Sequence, residues 1–349
     1  MHRLSTLMQF ETMVVTRRFG SNQSQDDPKD ANHATHRVRY VRASPQSHTL
    51  SLLQLNLQSL TAARAFSPDL VISGHTWTSP AASMIRHSMS LPVLQYLYAD
   101  ELTAHPRLTR YALRHSDASI AISEYTRSLA LRFGADRTRL HLVPPGVDIP
   151  VPLCTTIGRR KRATLITVAR LTDRYKGHDL VLQALPLVLE HVPDCEWLVV
   201  GDGPLAGELR QLARERGLDG HVSFLGAVDD DERDRLLGQA HVFIMPSRLP
   251  PGEGGEGFGI VYLEAGLHGL PVIAGNVGGA LDAVEHERTG LLVEPTDIQE
   301  IASAVIRLLT DRAEAESMGR AGAARARRFA WPLIAERVEK ISREMVTQN

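Results

Sequence analysis

The stretch EGFGIVYLEAGLHGLPVIAGNVGG, from Glu256 to Gly279, decides how this chain folds. Before it, Ser247 to Gly255 (SRLPPGEGG) are mostly turn formers and read as a loop. From Ile260 the spacing Ile260, Leu263, Glu264, Leu267 predicts a helix. Phe258, Gly259 and Ile260 then sit at a helix start, where backbone N–H groups lack intrahelical partners and suit an anion. Gly257 and Gly259 let the backbone come close to a ligand. Glu264 falls one turn inside the helix, where a carboxylate can accept two hydrogen bonds from a ribose diol. Glu256 stays on the loop, free to meet a sugar hydroxyl. A glycine-rich loop leading into a core helix with solvated acids would explain the glycines alone. It does not explain two spaced carboxylates closed by Gly278-Gly279.

On either side of this stretch, short β-branched runs alternate with helical patterns. Strands are predicted at Glu11–Thr16, Arg37–Val41, Leu70–Ser73, Val93–Tyr98, Ser119–Ser123 and Leu140–Val143. Six more follow at Thr164–Val168, Trp197–Gly201, Val222–Leu225, Val242–Met245, Val272–Ala274 and Leu291–Val293. Helices are predicted between most of them, among them Asp179–Glu190, Gly207–Arg216, Asp231–Leu237 and Ile298–Leu309. Such alternation means βαβ units and parallel sheets, which bind ligands at the carboxyl ends of their strands. The stretch from Pro144 to about Arg160 is rich in Pro and Gly and marks a domain boundary. The expected architecture is α/β: two Rossmann-like domains, 1–150 and 151–330, with a cleft between them. Residues 331–349 open on Trp331-Pro332 and read as a final helix. Asn22 to His36 is polar and reads as a mobile loop.

At 349 residues and 43% hydrophobic content the chain can build two cores. A formal net charge of -1 argues against a nucleic-acid partner. Residues 1–150 carry 16 Lys+Arg against 11 Asp+Glu, and the remainder 23 against 29. A mildly basic first half leaves open an anionic acceptor or a peripheral membrane contact, although scattered surface arginine is the commoner cause. Cys154 and Cys195 are too few for a disulfide framework or a cysteine metal site. No stretch approaches 18 apolar residues and no signal peptide is visible, so a cytoplasmic protein is expected, with contact at the inner membrane face left open.

Further constellations gather in the second half. Arg170 follows a strand, and Lys176-Gly177 precedes a helix opening near Asp179. Two cations beyond a strand end form a diphosphate clamp, although such residues in a surface loop are usually only solvated. Gly201-Asp202-Gly203-Pro204 is a strand-to-helix turn, and Phe224-Leu225-Gly226 with Val228 offers backbone near a base pocket. Asp229-Asp230-Asp231 formally contains an acidic metal signature, but acids here are expected to cap the following helix.

These residues in this order resemble the retaining glycosyltransferases of family 4, with the GT-B fold. The resemblance rests on Arg170 with Lys176-Gly177, Gly201 to Pro204, Phe224-Leu225-Gly226, Glu256 to Glu264, Gly278-Gly279 and Thr289-Gly290-Leu291-Leu292-Val293. It is strong over 115–340 and weaker before. It implies a hexosyltransferase that binds a UDP- or GDP-sugar as donor substrate, with no metal and no other cofactor, and a hydroxyl acceptor. Arg170 and Lys176 would neutralise the leaving diphosphate. Glu264 would hold the ribose, and Glu256 with the amides of Phe258 to Ile260 the donor sugar and distal phosphate. Gly203, Val228, Gly257 and Gly259 complete the expected donor site.

Two departures stand out. The family opens with a strand, a Gly-Gly loop and a helix ahead of the strand matched by Glu11–Thr16, and this chain is expected to lack that segment, losing a central strand and leaving a sheet edge or gap. The family also places a histidine after the fourth strand, where this chain has Tyr98-Ala99 followed by Asp100-Glu101. Tyr98 is placed with the catalytic groups, and His75 and Asp100 on the acceptor side. His75 is otherwise expected to pack in its loop. The alternative reading is a degenerate, non-catalytic sugar-nucleotide-binding protein. A sugar-nucleotide epimerase or a phosphorylase on a similar fold is a third; a pyridoxal phosphate enzyme would need a suitable lysine, and Lys176 sits in the diphosphate loop instead.

Overall fold

The computed structural model describes residues 10–17, 38–43, 48–149, 159–249 and 254–348. The chain divides into two compact units, Met1–Pro144 with Trp331–Asn349, and Pro145–Ala330. The expected loop Asn22–His36 and most of the expected linker after Pro150 lie outside the described residues.

In the first unit the described strands are β1 (Thr12–Arg17), β2 (Val38–Ala43), β3 (Val71–Ser73), β4 (Val93–Leu97), β5 (Ala118–Ala121) and β6 (Leu140–Leu142). They form two parallel sheets rather than one: β1 pairs with β2, and β3-β4-β5-β6 lie in chain order. No ladder joins the two sheets among the described residues. β4 and β5 are buried along their whole length, as parallel strands covered on both faces must be. Leu97, Leu102, Ala121, Leu129 and Leu140 pack a core beside them. The closing helix, Trp331–Thr347, groups with this unit and buries Ile334, Ala335, Val338 and Ile341 along one face.

In the second unit the strands are β7 (Thr164–Val168), β8 (Glu196–Val200), β9 (Val222–Gly226), β10 (Val242–Met245), β11 (Val272–Gly275) and β12 (Gly290–Val293). All pair in parallel, in the order β9-β8-β7-β10-β11-β12. Counted from β7 this is 3-2-1-4-5-6, the doubly wound order whose direction reverses between the first and fourth strands. β8, β10 and β11 are buried throughout, whereas edge strand β9 alternates with exposed residues. Trp197 is fully buried at the centre and donates from Nε1 to Thr167 Oγ1 at 3.0 Å, which keeps its one polar atom satisfied. Burying such a side chain contributes about 1.5–3 kcal/mol.

Helix ends follow local rules. Asp297 accepts from Glu300 N–H at 3.0 Å and opens Ile298–Thr310; Asp311 accepts from Glu314 N–H at 2.9 Å and opens Arg312–Arg327. Asp229 accepts from Glu232 N–H at 2.8 Å, so the triple-aspartate run caps Asp230–Gln239 as expected. The helix Ile260–Leu267 lies against Arg312–Arg327 through glycines: a Cβ on Gly266 would sit 3.1 Å from Gly322 backbone. That close packing fixes the helix that carries Glu264.

Candidate functional site

The carboxyl ends of β7, β8, β10 and β11 converge through backbone contacts. Leu171 N–H donates to Asp202 O at 2.9 Å, joining the loop after β7 to the loop after β8. Arg248 N–H donates to Tyr175 O at 2.8 Å, joining the loop after β7 to the loop after β10. Gly279 N–H donates to Glu256 O at 2.8 Å, pinning the loop after β10 from the β11 side. The last contact leaves no room for a side chain: a Cβ on Gly279 would lie 2.1 Å from Gly257 O. The convergence point is the switch between β7 and β10, where an open α/β sheet forms its ligand crevice.

Lys176 enters from the β7 side and Glu256 from the β10 side. Lys176 Nζ donates to Glu256 Oε2 at 2.6 Å, with side chains only 14% and 11% exposed. In this structure the ammonium of Lys176 holds Glu256 through one of its two carboxylate oxygens. The reason is burial, since an unpaired carboxylate at this depth would be costly. Burial alone would lower the lysine, but the charge and hydrogen bond of Glu256 outweigh it and hold the ammonium above its ordinary range. The lysine also lies 4.8 Å from the Tyr175 ring centroid.

Gly259 caps the helix start at φ +85°, a conformation that glycine adopts without steric cost. Gly257, Phe258 and Ile260 flank it, and the Phe258 side chain points into the core against Phe329 at 5.7 Å. Only the backbone of Phe258 is thus left for a ligand. Tyr262, unnoticed in the sequence, fastens this turn: its hydroxyl donates to Met245 O at 2.9 Å and lies 3.2 Å from Ser247 Oγ. A tyrosine in the first turn of a helix of mostly apolar residues is the signal that would have found it.

Glu264 is half-buried. Burial raises its carboxyl above the ordinary value; Arg233 opposes this, while Asp234, Asp230 and Asp148 add to it. Arg233 is itself held by Asp230 at 2.8 Å and by Asp234 at 2.8 Å. Arg170 is exposed and has no ion pair among the described residues. Gly203, its N–H held by Asp202 Oδ1 at 2.8 Å, lies on the loop after β8. Val228 lies half-buried past the end of edge strand β9.

The remaining candidates belong to the first unit. Tyr98 follows β4 and stacks on Tyr96 at 6.4 Å. Burial and then the charge of Glu101 push its hydroxyl up to about 12, so it stays protonated near neutral pH. Asp100 is exposed on the short helix Ala99–Ala104. His75 follows β3; its side chain is 46% exposed, and its Nδ1 accepts from Trp77 N–H in the same loop at 3.1 Å and lies 2.9 Å from Glu101 Oε2. The long sequence separation hid Glu101, which is buried and bonded to both loops.

Comparison with known proteins bears on the family and the fold. The family description "Glycosyltransferase Family 4" matches residues 6–150, and "Glycosyl transferases group 1" matches residues 157–325. A GDP-mannose-dependent alpha-(1-6)-phosphatidylinositol monomannoside mannosyltransferase of Mycobacterium tuberculosis is 41% identical over 59% of this chain. That match spans 56% of the relative's length. A D-inositol 3-phosphate glycosyltransferase of Pseudarthrobacter chlorophenolicus is 28% identical, over 92% of this chain and 83% of its own. Among solved structures, Anabaena HepE in complex with UDP superposes with a TM-score of 0.74 at 22% identity, covering 88% of this chain and 86% of that one. Sucrose-phosphate synthase of Thermosynechococcus elongatus reaches 0.77 at 22% identity, covering 93% and 87%. With both halves matched by family and the architecture shared with such structures, the chain belongs to glycosyltransferase family 4 and has the GT-B fold.

Proposed function

We propose that the protein is a retaining, metal-independent glycosyltransferase that moves a hexose from a nucleoside diphosphate sugar to a hydroxyl acceptor. The observation that carries this reading is the buried Lys176–Glu256 pair beside the glycine-capped helix start at the sheet's switch point. In the reaction the bond from the anomeric carbon to the β-phosphate oxygen breaks. The acceptor oxygen bonds to that carbon on the same face, and its proton passes to the departing diphosphate. Charge builds on the leaving group, so Arg170 and Lys176 are the groups that lower the barrier. Glu264 takes the ribose diol and Glu256 a hydroxyl of the sugar.

A GDP-sugar donor and an inositol-containing lipid acceptor are favoured over the other nucleotide sugars, glycans or secondary metabolites, because the Mycobacterium tuberculosis relative carries those substrates in its name. No helix of the described residues is long and apolar enough to cross a membrane. Leu53, Leu57 and Met84, on neighbouring helices of the first unit, are each more than half exposed and support peripheral contact with lipid.

Calorimetry with GDP-mannose and UDP-glucose tests the donor site, and proton NMR of the product's anomeric configuration tests retention. Failure of the protein to bind any of a panel of nucleotide sugars would end this reading. Turnover is expected to survive a chelator.

A further inference from the structure

Arg325 lies in the last turn of the long helix Arg312–Arg327 and reaches across to the short helix Ala280–Ala283, which follows the Gly278-Gly279 turn. Its guanidinium meets three acceptors there. Nε donates to Ala283 O at 2.9 Å, Nη2 donates to Asp282 O at 2.6 Å, and Nη1 is paired with Glu285. The last carbonyls of a helix have no partner inside it, so a helix of four residues relies on such an outside donor. The Arg325 side chain is only 16% exposed, so little water competes for these bonds.

The same guanidinium lies over the Phe329 ring at 5.4 Å, and the Phe329 ring lies 5.7 Å from that of Phe258. Phe329 is itself tied down, its carbonyl accepting from Val147 N–H at 2.9 Å.

Both routes end on the same two residues. At the start of the short helix, Gly279 packs so closely on the donor loop that a Cβ would lie 2.3 Å from Gly257 C and 2.5 Å from Phe258 N. A contact of backbone on backbone has no rotamer to absorb a displacement, so a shift of the short helix moves the Gly257–Phe258 peptide with it. The aromatic route holds Phe258 by its side chain. One arginine thus anchors the peptide from two directions.

We infer that Arg325 is a positioning residue for the donor diphosphate: through Ala280–Ala283 and through Phe329 it holds the Gly257–Phe258 backbone in place to meet the distal phosphate. This rests on the proposed transfer reaction and adds to it the group that fixes its phosphate-binding turn. An arginine that only joined two helices would change stability without favouring one nucleotide over another.

Calorimetry with GDP and GMP on the wild type and on Arg325→Met, at a temperature where circular dichroism shows both proteins folded, separates the two. The monophosphate lacks the distal phosphate. The expected result is a Kd for GDP raised about tenfold, the worth of one hydrogen bond to a charged group, with the Kd for GMP unchanged. Arg325→Lys, which keeps a donor for one carbonyl, should recover part of the loss. An unchanged Kd for GDP, or equal weakening of both nucleotides, overturns the inference. Should Arg325→Met fold poorly, Phe329→Leu keeps the apolar bulk and removes the ring from Phe258; a loss confined to GDP supports the inference, and no such selectivity overturns it. UDP and UMP take the place of this pair if the wild type prefers uridine. A wild type that binds neither diphosphate defeats the transferase reading, whereas binding that these substitutions leave unselective defeats this inference alone.

Discussion

Lys176 and Glu256 are 80 residues apart in sequence, yet their side chains meet at 2.6 Å on opposite sides of the switch between β7 and β10. Neither residue can be changed without exposing the other to an environment built for a pair. Lys176→Met leaves a nearly buried carboxylate alone and is expected to cost about 3 kcal/mol of stability. The double variant Lys176→Met, Glu256→Gln removes both charges and should recover part of that loss in a denaturant-melt cycle. Turnover of Lys176→Met should fall by roughly 10²–10³; wild-type turnover would remove the lysine from the leaving-group role.

Glu264 gives a pH dependence with a defined sign. Its folded-state value is raised above the ordinary 4.5, so the native state binds a proton more firmly than the unfolded chain. Its contribution to stability is therefore lost as pH rises through that raised value. Binding runs the other way, since a ribose diol donates to the ionised form. Nucleotide affinity should climb with pH from about 4.5 upward through weakly acidic values, and Glu264→Gln should flatten the profile. A calorimetric series over that range is the check, and a flat wild-type profile would detach Glu264 from the ribose.

His178 behaves oppositely. It is buried, its Nε2 has no hydrogen-bond partner among the described residues, and burial followed by the charge of Lys176 lowers it from 6.5 to about 4. The unfolded chain takes up this proton first, so stability is present above 6.5 and is lost as pH falls toward 4, by about 3 kcal/mol in total. Thermal melts of His178→Phe should show a shallower acid slope than wild type between those values. Equal slopes would place the acid sensitivity elsewhere.

Gly279→Ala should disturb the donor loop directly, because the new Cβ would collide with Gly257 O at 2.1 Å and with Phe258 N at 2.5 Å. Nucleotide affinity is expected to drop at least tenfold with the overall fold retained. Gly207→Ala provides the contrast. Nothing among the described residues lies within 4 Å of its Cβ position on the helix Ala206–Glu215, and it should stabilise by about 0.5 kcal/mol. The two melting curves and one titration separate a steric effect on the loop from a general effect of replacing glycine.

The strands were legible because buried parallel strands leave short β-branched runs: Thr164–Val168 and Val242–Met245 match the sequence reading to the residue. The glycine-flanked helix start at Ile260 was legible for an equally local reason, since a cap and a period both fit within a dozen residues. What stayed hidden was non-local. The sequence offered Lys176 and Glu256 as separate binding groups, and nothing in their neighbourhoods records that they neutralise each other. The buried role of Glu101 depends on Thr76, 25 residues earlier, which nothing beside Glu101 in the sequence records.

The resting Lys176–Glu256 pair also holds two flexible side chains in place before any ligand arrives. An ammonium has three donors and a carboxylate two acceptor oxygens, so each can meet a ligand without releasing the other. A nucleotide sugar, with a phosphate for the lysine and a hydroxyl for the glutamate, would then find both groups already ordered, and the entropy of fixing them falls on folding rather than on binding.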